Sequence, residues 1–238
     1  MTSAALEPLK SRSHGVSLGL FAGDPGNLRA VAREAATWGC DILHFDVMDG
    51  VFVPQMTGGV AFVAALDAGG LRDVHLMIEN PALHVAAYVS AGADIITVHA
   101  EAQGAANAIS VIRETAKNQG RAVMVGLALM PGTPLEAAKD LLEMKPDLIL
   151  VLALDPRRGT PPDIIAATNR LVALRSRYGD AGPVLAFDGG VTLKTIGEIA
   201  ACKPDMIVSG SAVLKAENPK TAFDAMAKAC APRSKNTP

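Results

Sequence analysis

The chain has 238 residues, 50% of them hydrophobic, which is ample for one large core and too apolar for a disordered chain. Its 22 Lys and Arg against 24 Asp and Glu leave a net charge of −2, so no basic footprint exists for nucleic acid or an anionic membrane. Aromatic residues at 4% are too few for base-stacking platforms, and no apolar run approaches the roughly 20 residues of a membrane span.

Residues 1–13 lack the continuous apolar stretch of a signal peptide and read as a flexible N-terminal extension. Strand-like and helix-like segments then alternate to the end. The strand candidates are GVSLGLF (15–21), CDILHFDV (40–47), DVHLMI (73–78), DIITVHA (94–100), AVMVGLAL (122–129), DLILVLAL (147–154), PVLAFDG (183–189) and DMIVSGS (205–211). Most are continuous Val, Ile and Leu runs, the pattern of strands buried on both faces of a parallel sheet. Ala-rich amphipathic stretches lie between them, such as 27–39, 80–92 and 133–145, and several end in a glycine suited to a helix C-cap. Eight βα units in a chain of this length predict an α/β fold of the (β/α)8 TIM-barrel type, with a doubly wound open sheet as the competing architecture. The expected layout is a single barrel domain over 14–230 and a flexible tail over 231–238. Cys40, Cys202 and Cys230 are odd in number and form no CxxC pair, so reduced thiols and a cytoplasmic location are expected.

Four chemically apt side chains sit toward the C-terminal ends of apolar runs: His44, Asp46, His75 and Asp188. Barrels and open α/β sheets place their sites at that end. His44 and Asp46 are two apart on a strand and face the same way. Two imidazoles and two carboxylates suit one Zn²⁺, Mn²⁺, Fe²⁺ or Co²⁺ better than the oxygen-preferring Ca²⁺ or Mg²⁺. Asp46 and Asp188 could serve as base and acid across a flat intermediate. The alternative is structural, because His-x-Asp recurs by chance and rim residues often bind backbone. Asp49 in MDG reads as a turn residue. His99 either lines the mouth or is a hydrogen-bonded structural histidine, and His14 and His84 carry no signal. Glycine turns at Gly189-Gly190 and Gly210-Ser211 follow the last two strands, an address at which barrels bind phosphate.

Together the segments HFDVMDGVFVPQMT, DVHLMIENP, ITVHAEA, GLALMPGTPLE, FDGGVTLKTI and GSAVLKAENP resemble the ribulose-phosphate 3-epimerase family over about Ser17 to Pro219. The resemblance implies a phosphate-binding barrel that interconverts ribulose 5-phosphate and xylulose 5-phosphate through a cis-enediolate. It implies His44, Asp46, His75 and Asp188 as ligands of one divalent metal ion, with Asp46 and Asp188 as the catalytic pair. It implies substrate or phosphate contacts from His75, Met48, Met77, Gly189, Gly190, Gly210 and Ser211, and a homo-oligomer in this family's manner. The chain departs from the family pattern at Gly19, where the family has serine, and at Met130 and Leu152. It departs again in the run Asp155-Pro156-Arg157-Arg158-Gly159-Thr160-Pro161, where the family has a glycine-rich lid. Arg157 and Arg158 could reach an anion or form a solvated turn. The metal and acid/base set is complete while the substrate shell is altered. This leaves room for a paralogue acting on a hexulose or tetrulose phosphate, or for a non-catalytic sugar-phosphate-binding protein.

Overall fold

The computed structural model describes residues 3–66 and 68–230; the tail expected over 231–238 lies outside them. Helix α1 (Ser3–Arg12) leads into β1 (Gly15–Gly19), followed by α2 (Leu28–Thr37) and β2 (Ile42–Met48). Next come α3 (Val60–Ala65), β3 (Leu71–Met77), α4 (Val85–Ser90), β4 (Ile95–His99), α5 (Ala105–Asn118) and β5 (Met124–Leu129). The second half holds α6 (Lys139–Glu143), β6 (Leu148–Leu152), α7 (Ile164–Tyr178), β7 (Val184–Asp188) and α8 (Ile196–Ala201). It closes with β8 (Met206–Ser209), α9 (Ser211–Leu214) and α10 (Pro219–Cys230). The eight strands are parallel and pair in sequence order, and β8 pairs with β1, so the sheet is a closed barrel rather than an open one.

The apolar runs separate into two cores by the period-2 alternation of strands. Residues such as Phe45, Val74, Ile96, Leu127, Ile149 and Phe187 point outward and pack under the helices. Ile42, Leu71, Ile95, Met124, Leu148, Val184 and Met206 point inward and fill the lower barrel. Leu6 and Leu9 of α1 pack against that inner cluster, and Ser13, fully buried, donates to the Leu9 carbonyl at 2.7 Å. Within the extension expected over 1–13, Ser3–Arg12 therefore form a helix laid on the closed end of the barrel. The apolar Leu6 and Leu9 side chains find their cover only when the barrel floor is present.

A repeated device ties the floor together. Asp41, Asp94, Asp147 and Asp205 precede β2, β4, β6 and β8. Two residues before each stands a left-handed residue: Gly39, Gly92, Lys145 and Lys203, with φ between +53° and +96°. That conformation ends the preceding helix and turns the chain into the strand. The Asp94, Asp147 and Asp205 carboxylates then accept from the backbone N–H of Arg72, Val125 and Leu185 at 2.8–3.0 Å, pinning each even strand to the odd strand before it. Asp41 is instead forked by Arg12 of α1 at 2.6 and 2.9 Å. A cavity of about 630 Å³ adjoins this end, lined by Leu6, Lys10, Arg113, Lys145 and Tyr178 among others, and holds none of the expected site residues.

Candidate active site

Register brings the chemistry together. His44 on β2 lies opposite Asp73 on β3, Asp46 opposite His75, and Met48 opposite Met77. All six are inward positions at the upper end, where the interior changes from aliphatic to polar. Asp188 ends β7 across the mouth. One ligand atom from each of His44, Asp46, His75 and Asp188 lies within 4.8 Å of the others. His44 Nε2 and His75 Nδ1 both approach Asp46 Oδ1 at 3.1 Å, and His75 Nδ1 lies 3.8 Å from Asp188 Oδ2. The two imidazoles are sealed from solvent, while the two aspartates are partly open to the mouth. The other histidine nitrogens are already engaged: His44 Nδ1 meets Asp73 Oδ2 at 2.6 Å, and His75 Nε2 meets His99 Nε2 at 2.9 Å. A metal-type donor set with its outer nitrogens held in place is the usual construction of a cation site. Such a His/Asp cluster could bind a divalent metal ion, and its donors suit a borderline transition metal.

The electrostatics push the two aspartates apart. Burial raises Asp46, but the His44 charge and hydrogen bonds from His44 and His75 outweigh it and hold Asp46 well below the usual carboxylate range. Burial raises Asp188 as well, and the nearby negative charge of Asp46 adds to it, taking Asp188 to about 6. His44 is opposed by burial yet lies well above its ordinary value, because Asp73 and Asp46 favour its charged form. His99 is driven down to about 4, mainly by burial, with the His75 charge assisting against the bond to Glu101.

Both aspartates open into one pocket of about 190 Å³ that also carries Gly19, Gly189, Gly190, Ser209, Gly210 and Ser211. Gly189 and Gly190 adopt φ of +96° and +68°, and a Cβ on Gly190 would fall 2.6 Å from the Pro162 side chain. Gly19 and Gly210 lie against each other: a Cβ on Gly210 would sit 2.9 Å from the Gly19 carbonyl. Such bare backbone leaves N–H groups open to an anion. Ser209 also lines this pocket; the residue is buried and its hydroxyl has no hydrogen-bond partner among the described residues.

Other expectations resolve as follows. Asp49 is a turn residue, accepting from the N–H of Val51, Phe52 and Glu79 at 2.8–2.9 Å. His99 is the hydrogen-bonded alternative rather than an exposed lining residue. Met77 is buried in the inner cluster and Met48 packs beside it. Arg157 does not hang free: its guanidinium forks Asp155 at 3.0 Å twice and lies 5.8 Å from the Phe52 ring. Arg158 is exposed. Asp73, Glu101 and Ser209 were not singled out in the sequence. Asp73 could have been found by the same i, i+2 spacing that links it to His75, whereas Ser209 shows only through its lack of a partner.

A closed barrel with a His/Asp cluster at its C-terminal mouth, two of its aspartates partly open to a pocket, has the construction of a (β/α)8-barrel enzyme. Residues 15–214 match the ribulose-phosphate 3 epimerase family. Ribulose-phosphate 3-epimerase of Mycobacterium tuberculosis is 37% identical over 203 residues, covering 83% of this chain and 86% of that protein. The chloroplastic ribulose-5-phosphate-3-epimerase of Arabidopsis thaliana is 36% identical over 184 residues, covering 76% of this chain and 64% of that protein. The structure of 3-keto-L-gulonate-6-phosphate decarboxylase from Vibrio cholerae matches with a TM-score of 0.68 at 17% identity, covering 92% of this chain and 97% of that one, a likeness of fold. The chain belongs to the ribulose-phosphate 3-epimerase family, and is a carbohydrate isomerase. Among the described residues, no helix is long and apolar enough to cross a membrane.

Proposed function

We propose that the chain is a divalent-metal-dependent 3-epimerase of a ketose phosphate, with D-ribulose 5-phosphate and D-xylulose 5-phosphate as its pair. The observation that carries this reading is the single pocket that joins Asp46 and Asp188 to the glycine turns after β7 and β8. A sugar phosphate anchored at Gly189, Gly190, Gly210 and Ser211 has its ketose end between the two carboxylates. Asp46, ionised, takes the C3 proton; Asp188, raised to about 6 and so able to exchange a proton close to neutral pH, returns one from the other side of the pocket. The roles exchange for the reverse reaction. His44, Asp46, His75 and Asp188 would hold the metal ion, which when bound supplies a Lewis acid that polarises the substrate carbonyl and stabilises enediolate charge. Met48, Met77 and buried Phe52 keep water from the reacting carbons.

The loop after β6 favours a second reading, a paralogue acting on a hexulose or tetrulose phosphate. Its arginine is folded onto Asp155, and Thr160 Oγ1 accepts from the Asp155 N–H at 2.9 Å, so the run is tied to itself. Incubation of metal-loaded protein with ribulose 5-phosphate in deuterated water separates the two. Deuterium at C3 together with xylulose 5-phosphate is expected. No exchange from folded, metal-loaded protein sinks the pentulose reading and sends the search to other ketose phosphates.

The cradle makes its own prediction. Gly190→Ala forces a left-handed φ on an L-residue and a clash with Pro162, costing about 1–3 kcal/mol. KM is expected to rise on the order of tenfold, with a smaller change in kcat, since the phosphate anchor lies away from the reacting carbon. An unchanged KM removes the turn from phosphate binding.

A further inference from the structure

Resting on the metal site proposed above, we infer that buried His99 and half-buried Glu101 form a positioning relay that fixes His75 Nε2 as a donor and so presents His75 Nδ1 to a cation. The argument follows donors and acceptors along one chain of contacts. Glu101 Oε1 is filled: it accepts from the Met130 N–H at 3.0 Å and from the Thr133 hydroxyl. Its other oxygen, Oε2, faces His99 Nδ1 at 3.2 Å. An ionised carboxylate only accepts, so His99 must carry its proton on Nδ1. A neutral imidazole then offers a bare Nε2, which lies 2.9 Å from His75 Nε2. His75 donates there from Nε2, so Nδ1 is the atom turned toward Asp46 and Asp188, where a cation would take the place of any proton shared with Asp46. The two rings are stacked at 4.9 Å between centroids and neither is exposed to solvent, so no water competes for these bonds. His44 is oriented by a carboxylate directly, through Asp73; His75 is oriented by a carboxylate one imidazole away.

The polarity of the chain is what matters, and an isosteric change can invert it. In Glu101→Gln the amide oxygen stays with its two donors, Met130 N–H and the Thr133 hydroxyl. The amide NH₂ then points at His99 Nδ1, which must become the acceptor. His99 shifts its proton to Nε2, His75 Nε2 becomes an acceptor, and the proton of His75 moves to Nδ1, where the metal should sit. Glu101→Ala removes the instruction without reversing it. The relay therefore predicts that Gln is worse than Ala for metal binding, the reverse of the order for a residue that merely packs.

The test uses the full chain in three forms, wild type, Glu101→Gln and Glu101→Ala, with Co²⁺ as probe. Co²⁺ affinity is read by chelator competition, the ligand field by visible absorption, and the His99 tautomer by long-range ¹H–¹⁵N correlation in metal-free protein. Melting curves show that each variant folds. The expected result is a His99 Nδ1–H form in wild type and an Nε2–H form in Glu101→Gln. Co²⁺ affinity should fall about 10–100-fold in Glu101→Gln, and less in Glu101→Ala. Co²⁺ bound equally well by Glu101→Gln and wild type overturns the relay alone, as does a wild-type His99 protonated on Nε2. Failure of wild type to bind Co²⁺ at all overturns the metal site itself, and the relay's purpose with it.

Discussion

Asp188→Asn is expected to remove turnover and, in metal-free protein, to raise stability. Loss of one of two proton-transfer groups costs roughly 10²–10⁴-fold in kcat. The stability gain follows from the raised pKa: Asp188 stands at about 6 against an ordinary 3.8, because it is buried and faces Asp46. Between those values the unfolded chain releases the proton and the folded chain keeps it, so stability falls as pH rises through that window. At 1.36 kcal/mol per pKa unit the penalty is on the order of 2–3 kcal/mol once both states are ionised. Asn carries no charge to bury and avoids it. Denaturant titrations in chelator should show the two proteins alike below about pH 4, diverging between about pH 4 and 6, and separated by a constant gap above. A variant no more stable than wild type at pH 7, or one that turns over within tenfold of it, argues against this placement of the acid.

Asp73→Ala has the largest effect expected on stability. Asp73 and His44 are a buried pair at 2.6 Å, each about 1% exposed, and Ser17 donates to the same carboxylate oxygen at 2.9 Å. Deleting one member of a buried pair leaves the other uncompensated, at a cost of about 3–5 kcal/mol; Asp46, still in contact with His44, draws this toward the lower figure. Because the folded-state pKa of His44 is raised, the contribution is complete below its ordinary value of 6.5 and is lost as pH climbs through the raised one. The gap between wild type and variant should therefore be widest in acid and narrow toward alkaline pH. Metal affinity should also fall, by about 10–100-fold, since Asp73 fixes the His44 ring. Asp73→Asn, which still offers an oxygen to His44, should recover part of it. Destabilisation with undiminished metal affinity would reduce Asp73 to a packing role.

How far the sequence carried this picture depended on the range of the contacts involved. All eight strands were legible because a strand covered on both faces is a continuous apolar run, whatever its neighbours do. His44, Asp46, His75 and Asp188 stood out because each breaks such a run near its end. Asp73 did not, since its role depends on a partner 29 residues away that only strand register supplies; Glu101 did not either, since it lies past the end of β4 and its other partners, Met130 and Thr133, come from the loop after β5. His99 was legible as a strand-end histidine, but its partner across β3 and β4 was not. The first helix was missed for a related reason: two leucines in a polar segment show no face until the barrel floor provides one. The Arg157 loop was visible as a departure, while its closure onto Asp155 came only with the fold.

The four aspartates under β2, β4, β6 and β8 give the barrel a division of labour along its axis. Every strand that presents a reacting group at the upper end is anchored at the lower end by bonds that no substrate touches. Strain introduced at the mouth, such as a buried carboxylate facing another or a left-handed glycine turn, is thus met by cohesion a full strand length away. The loops above can be exchanged piecemeal while the floor that fixes their spacing stays intact. A barrel pinned in this way can explore new substrates without renegotiating its own fold.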